Sequence, residues 1–332
     1  MSEPRVAIVG ITGAVGQEMI QCLEKRDFPV KKLTLLASAR SIGKVCSFKG
    51  EEIPVQELTS NSFDGVDIAL FSAGGAISKE FAPLAAKSGA VVIDNSSAFR
   101  MDPDVPLVIP EINPDATHSN KGIIANPNCT TIVTLMGLNP LHRAWQVEGI
   151  IASSYQAVSG SGAQGIEELK SQVTAISEGS SIERKVYPHQ IAYNVIPQVD
   201  AFLENGYTKE EMKMENEGRK ILGTSALKAS VTCVRVPVYR SHSVSVTAQF
   251  SSKPDVHKAR ELINAAPGVS VRDEPASGIF PTPLDTTEKD ECLVGRIRKD
   301  IVLDNALSFW VVGDQVRKGA ALNAVQIAEL LV

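Results

Sequence analysis

Cys129 stands in the run Asn126-Pro127-Asn128-Cys129-Thr130-Thr131, and its neighbours indicate where the chain places that thiol. Ile123 to Ala125 is an apolar run suited to the end of a strand, and Thr131 to Met136 begins a helical pattern. Pro127 disfavours helix at Asn126 and Asn128 is a good N-cap residue, so Cys129 falls in the first helical turn. Backbone N–H groups there lack partners inside the helix, and their partial positive charge favours an anion. A thiol so placed ionises more easily, and the thiolate is the nucleophile. Read alone, Cys129 is also the small buried apolar residue that most free cysteines are.

Other polar residues fall where strands should end. The strand Glu148 to Tyr155 runs into Gln156-Ala157-Val158-Ser159-Gly160-Ser161-Gly162, a loop that could cradle a ligand or simply turn the chain before the helix Ile166–Ile176. Arg235 comes late in the β-type run Ala229 to Val236, and His242 early in the run Ser241 to Phe250. If these runs are neighbouring strands, both side chains reach one pocket. Glu217 and Lys220 lie three apart on the charged helix Lys209 to Leu222, a spacing whose default is a solvated ion pair. Arg100 follows the strand Val91 to Asp94, where it is either a surface arginine or an anion site.

Near the start of the chain, Arg5 to Val9 is a strand that runs into Gly10-Ile11-Thr12-Gly13-Ala14-Val15-Gly16 and then a helix. Strand, glycine turn and helix in that order describe a pyrophosphate cradle, although the Gly-x-x-Gly-x-x-Gly spacing differs from the Gly-x-Gly-x-x-Gly fingerprint. The second strand, Leu33 to Ala37, ends in Ser38-Ala39-Arg40-Ser41. An NAD site usually carries an acid at that point. A guanidinium between hydroxyls instead matches a 2′-phosphate, so the expectation is NADP.

These elements fit a chain of 332 residues, enough for two domains. Strands alternating with helices predict a parallel α/β sheet in the first part, with ligands gathered at the carboxyl ends of its strands. Ile53 and Val55 fit a strand edge, residues 180–208 read as loop and interface, and Pro275 to Thr287 as loop. The nearly all-apolar stretch Gly319 to Val332 predicts a buried helix returning to the N-terminal domain. A net charge of -5 disfavours nucleic acid or an anionic membrane as main partner. The five cysteines and five histidines show no metal-ligand spacing, and no leader or membrane span is evident, so a reducing compartment without metal is expected: cytoplasm, or an organelle stroma.

Taken together, the glycine turn Gly10–Gly16, Asn95 to Arg100, Asn126 to Thr131, Gln156 to Gly162, Glu217 with Lys220, Arg235 with His242, and Val312-Gly313-Asp314-Gln315 resemble the aspartate-β-semialdehyde dehydrogenase family over essentially the whole chain. The resemblance implies an N-terminal Rossmann-like NADP-binding domain over residues 1–128 and 313–332. It implies an inserted α+β catalytic and dimerisation domain over 129–312, and a homodimer or a dimer of such dimers. The implied reaction is NADP-dependent reductive dephosphorylation of L-4-aspartyl phosphate to L-aspartate 4-semialdehyde, feeding lysine, threonine, methionine and diaminopimelate synthesis. In it Cys129 is the nucleophile, His242 the general acid/base, and Gln156 orients the intermediate. Arg235 grips the α-carboxylate, Arg100 and Lys220 the phosphate, Glu217 the amine, and Asn128 joins the substrate site. Gly10, Thr12, Gly13, Ala14, Val15, Gly16, Ser38, Arg40, Ser41, Ser159, Gly160 and Gln315 are the implied cofactor contacts. A sibling reductase acting on N-acetylglutamyl phosphate would have no use for Glu217. A non-catalytic NADP-binding regulator would not need Cys129, Gln156, Arg235 and His242 together.

Overall fold

In the computed structural model, which describes residues 3–332, the first apolar run is strand β1 (Arg5–Val9). It joins β2 (Lys32–Ala37), β3 (Val45–Phe48), β4 (Glu51–Glu57), β5 (Ile68–Phe71), β6 (Val91–Asp94) and β7 (Ile123–Ala125) in one sheet, ordered β3-β4-β2-β1-β5-β6-β7. All pairings are parallel except that of β3 with β4. Strands covered on both faces need unbroken apolar runs, which is why β5 is buried throughout. Helices α1 (Ala14–Lys25) and α2 (Gly75–Lys87) follow β1 and β5. The order of the sheet turns back at β1, so the glycine turn emerges at the switch point where such sheets take ligands. The β3–β4 hairpin extends the edge that Ile53 and Val55 suggested. Its outer strand exposes Val45 and lacks the apolar alternation that would have revealed it.

The second set of elements comprises α3 (Cys129–Trp145), β8 (Val147–Gln156), α4 (Gly162–Ser177), α5 (Lys209–Leu222), β9 (Lys228–Arg235), β10 (His242–Phe250), α6 (Val256–Ala265), β11 (Val269–Val271), α7 (Pro283–Thr286), β12 (Cys292–Lys299) and β13 (Ala306–Gly313). Their sheet is ordered β11-β12-β13-β10-β8-β9. β9 and β10 are therefore not neighbours, contrary to the condition placed on Arg235 and His242. The long connection through α4 and α5 lays β9 parallel to β8 on one side. The link 236–241 then spans the end of β8, and β10 returns antiparallel on the other side. The expected loop Pro275 to Thr287 holds a 3₁₀ turn, Pro275–Ser277, and the one-turn α7.

The chain divides into two units, Met1–Asn128 with Ala320–Val332, and Cys129–Gly319. The second division falls later than residue 312. Gly313 still pairs with His242, and Asp314 Oδ2 accepts from Arg240 Nε and the Glu288 amide, both at 2.7 Å. The C-terminal helix is shorter than expected, a π-turn at Arg317–Ala321 followed by α8 (Leu322–Glu329). In the first unit Leu322, Val325 and Ile327 of α8 pack with Ile8, Met19 and Leu70. No described helix is long and apolar enough to cross a membrane.

A thread of amides, buried at Asn323 and Asn126 and half-buried at Asn95, completes the first unit. Asn323 Nδ2 donates to Val108 O at 3.0 Å and Asn126 Oδ1 at 2.6 Å. Asn126 Nδ2 donates to Asn95 Oδ1 at 2.8 Å, and Asn95 Nδ2 to Phe71 O at 2.9 Å. Removing one member strands the acceptors on the next. Asn323→Ala should therefore lower stability by about 1–3 kcal/mol, read as a shifted denaturant midpoint with an unchanged slope.

Candidate active site

In the second unit the ends of three strands are brought level. Gln156, the last residue of β8, stands opposite Arg235, the last of β9. On the other side Ser243 pairs with Tyr155, which brings His242, the first residue of β10, to the same end. Ala157 then ties the row together. Its carbonyl accepts from Arg235 Nη1 at 2.6 Å, and its amide donates to His242 Nδ1 at 3.0 Å. A backbone N–H can only donate, so Nδ1 is the unprotonated nitrogen and the imidazole proton is on Nε2. Burial, and then the charge of Arg235, push the His242 pKa down to about 3. Gly160 lies against both side chains. A Cβ there would come within 2.8 Å of Arg235 Nη1 and 3.3 Å of His242 Nε2, so glycine lets the loop close over them without displacing either. Tyr187 backs the guanidinium, with its ring centroid 5.9 Å from Arg235 Cζ, at the outer range of a cation–π contact.

Cys129 is the first residue of α3, half-buried, with Asn128 buried before it. Its neighbour Thr130 accepts a hydrogen bond from Gln156 Nε2, which joins the start of α3 to the strand ends. Gly319 packs on the cysteine, and a Cβ there would lie 2.9 Å from Cys129 Cβ. Of the other thiols, Cys46 is half-buried on the outer strand β3, while Cys22, Cys233 and Cys292 are buried, and burial pushes Cys233 up to about 12, where it is no nucleophile. Glu217 is buried and Lys220 half-buried on α5, the helix that packs on β9 and α3, so the default of a solvated pair does not hold for Glu217. Ser159 and Gln315 are engaged with each other: Gln315 Nε2 donates to Ser159 Oγ, and Gln315 Oε1 accepts from the Ser241 amide at 2.8 Å. Thr130, Tyr187, Glu210 and Gly319 were not picked out by pattern, because each acts through a partner distant in sequence.

In the first unit, Arg100 is buried, and its Nε and Nη2 donate to the carbonyls of Asn126 and Asn95 at 2.9 and 2.8 Å. A guanidinium held so firmly has a fixed direction, unlike a solvated surface arginine. Gly10 has φ +87, and a Cβ there would overlap the Ser72 carbonyl. No side chain caps α1, which leaves its N-terminus to a ligand. Gly10, Thr12, Gly13, Ser38 and Arg40 line one cleft of about 560 Å³, together with Ala73 and Glu57. Ser41 is buried under the turn Ala39–Ser41, and Ala14, Val15 and Gly16 lie outside the cleft lining. Of the expected cofactor contacts here, those four are the ones the cleft does not present. The bare backbone turn, the uncapped helix and the exposed Arg40 fit a dinucleotide, with Arg40 and Ser38 at the end of β2 where its adenosine ribose would lie.

Residues 5–120 match the model of the semialdehyde dehydrogenase NAD binding domain, and residues 138–318 that of the semialdehyde dehydrogenase dimerisation domain. The aspartate-semialdehyde dehydrogenase of Aquifex aeolicus is 54% identical over 332 residues, covering 99% of this chain and 98% of the relative. That of Bacillus subtilis is 49% identical, covering 98% and 96%. The crystal structure of aspartate semialdehyde dehydrogenase II from Vibrio cholerae, complexed with ASA, superimposes with a TM-score of 0.97 at 46% identity, covering 100% and 98%. The enzyme from Candida albicans with NADP gives 0.76 at 26% identity, covering 99% and 98%.

Two outcomes are expected. An imidazole that stays neutral in the fold but titrates near 6.5 when unfolded makes unfolding take up a proton, so His242 costs stability as pH falls from about 6.5 toward 3. Its ring ¹⁵N resonances should keep the Nε2–H pattern from about pH 8 to about pH 5, and a titration midpoint near the ordinary value would contradict the assignment. Arg40→Ala should weaken NADPH binding by about 10- to 100-fold, the worth of a charge-assisted hydrogen bond of roughly 1.5–3 kcal/mol, with little change for NADH. Calorimetry of both cofactors checks it.

Proposed function

The chain belongs to the aspartate-semialdehyde dehydrogenase family, and on that premise we propose how its own residues carry the reaction. It is an oxidoreductase with a nicotinamide-binding domain. The proposed conversion is L-4-aspartyl phosphate to L-aspartate 4-semialdehyde and phosphate, reversibly, with NADP as the cofactor. The observation that carries it is the clamp at Ala157, which holds a guanidinium and a neutral imidazole beside Gln156, itself bonded to the residue after Cys129.

Cys129 Sγ, as thiolate at the start of α3, attacks the acyl carbon. The C–O bond to phosphate breaks, inorganic phosphate departs and a thioester remains on the sulfur. When bound, the cofactor supplies the hydride that takes this acyl group to the aldehyde level. The C–S bond then breaks, which releases the aldehyde and returns the thiolate. His242 holds a proton at Nε2, and this is the atom at which it donates to the oxygen that gains charge as the sulfur adds. In this reading the acid/base role expected from the sequence narrows to hydrogen-bond donation from Nε2–H.

Arg235, with the Tyr187 ring at 5.9 Å and its Nη1 anchored on Ala157, offers its remaining N–H groups to the α-carboxylate as a two-pronged donor. Glu217 receives the substrate ammonium, and its burial supports an unacylated amine over an N-acetylated one. Arg100, Lys220 and Asn128 serve the phosphate and the acyl group. The glycine turn, Ser38 and Arg40 hold NADP, with Ser159, Gly160 and Gln315 completing its contacts. A homodimer through the second unit, and a place in lysine, threonine, methionine and diaminopimelate synthesis, belong to the same reading.

Cys129→Ala should abolish turnover by several orders of magnitude while leaving NADPH affinity unchanged. Wild-type enzyme quenched with aspartyl phosphate and no NADPH should carry one acyl adduct on the Cys129 peptide by mass spectrometry. An unlabelled peptide, or an active alanine variant, would remove the covalent step.

A further inference from the structure

Gln156 has one end fully engaged and the other bare. Its Nε2 donates to Thr130 Oγ1 and, at 3.0 Å, to Glu210 Oε1. Its Oε1 is buried and meets no hydrogen-bond partner in a side chain only 1% exposed. The two ends of an amide have nearly the same shape, so chemistry must decide which faces the ligand. Glu210 decides it. Its Oε2 accepts from Lys213 Nζ at 2.7 Å, and a carboxylate in such an ion pair offers its other oxygen as an acceptor. Turning the amide over would set its oxygen against a carboxylate oxygen. With Thr130 taking the other N–H, both amide hydrogens are committed, and a desolvated acceptor is left unpaired.

We propose that Glu210 is a positioning residue for the reaction: it fixes the Gln156 amide as a hydrogen-bond acceptor for an N–H or O–H group of the bound substrate, and excludes it from donating to the carbonyl oxygen. That oxygen is then served by the Nε2–H of His242, whose tautomer Ala157 sets. The site acquires opposite polarities at its two sides, a donor at His242 and an acceptor at Gln156. A substrate that carries both an electrophilic carbonyl and a proton-bearing group satisfies both. The proposal rests on the reading of Cys129 as the thioester-forming nucleophile.

The test is steady-state kinetics with L-aspartate 4-semialdehyde, phosphate and NADP. Glu210→Gln lets the facing amides pair either way round, so kcat should fall by up to about 100-fold, as for a misplaced reacting group, with the KM for NADP unchanged. Gln156→Glu sets two carboxylates face to face. It should be less active still, with activity recovering at low pH as the pair shares a proton. The double variant Gln156→Glu/Glu210→Gln exchanges the side chains, restoring a donor toward an acceptor and leaving an oxygen toward the ligand. It should exceed Gln156→Glu by roughly 10-fold or more at neutral pH, a recovery that a merely structural pair would match in melting temperature but not in kcat. Unchanged kcat in Glu210→Gln, or a double variant no better than Gln156→Glu, overturns the proposal. An inactive wild type, or an active Cys129→Ala, would instead overturn the reading beneath it.

Discussion

The main chain of one small residue governs the chemistry of the second unit. Ala157 offers a carbonyl to Arg235 and an amide to His242, so two side chains from strands on opposite sides of β8 share one peptide-level reference. A carbonyl suits a guanidinium, and an amide suits only a nitrogen lone pair. The backbone thereby selects both the arginine's direction and the imidazole's proton. Neither choice rests on a flexible side chain, and burial keeps water from competing for either bond. Gly160 closes this arrangement, since a Cβ there would push on the guanidinium and the imidazole together.

How the site was assembled was only partly legible in the sequence. Cys129 could be placed at a helix start because proline and asparagine act on adjacent residues, and local rules suffice there. Gln156, Arg235 and His242 were each recognisable at the ends of apolar β runs. The strand between Arg235 and His242 was not. Pairing order depends on where the connection through α4 and α5 delivers β9, and no local signal encodes that. Glu210 was hidden for a related reason: its partner is distant in sequence, and a charged residue near the start of a helix has an ordinary explanation in the dipole.

The first unit shows the opposite balance. Its glycine turn, its second-strand arginine and its parallel sheet could all be read locally, because each depends on backbone geometry at consecutive positions. What could not be read was which residues of those motifs would face the cleft. Ser41 and Gly16 are buried, and their burial follows from how the turns pack on the sheet rather than from the motif itself. Glu57 reaches the cleft from β4, the strand inserted beside β2, where a scan of the second strand alone finds no acid.

The core of the first unit draws on residues that flank the whole of the second in the chain: Leu322, Val325 and Ile327 pack with Ile8 and Leu70. During synthesis on the ribosome these segments emerge in order. The inserted unit is complete in sequence before the helix that finishes the first one has been made. The nascent nucleotide-binding sheet must therefore wait with α1 in place but the part of that face owed to α8 uncovered while its guest is translated, a period in which it is a natural client for chaperones that shield apolar surface.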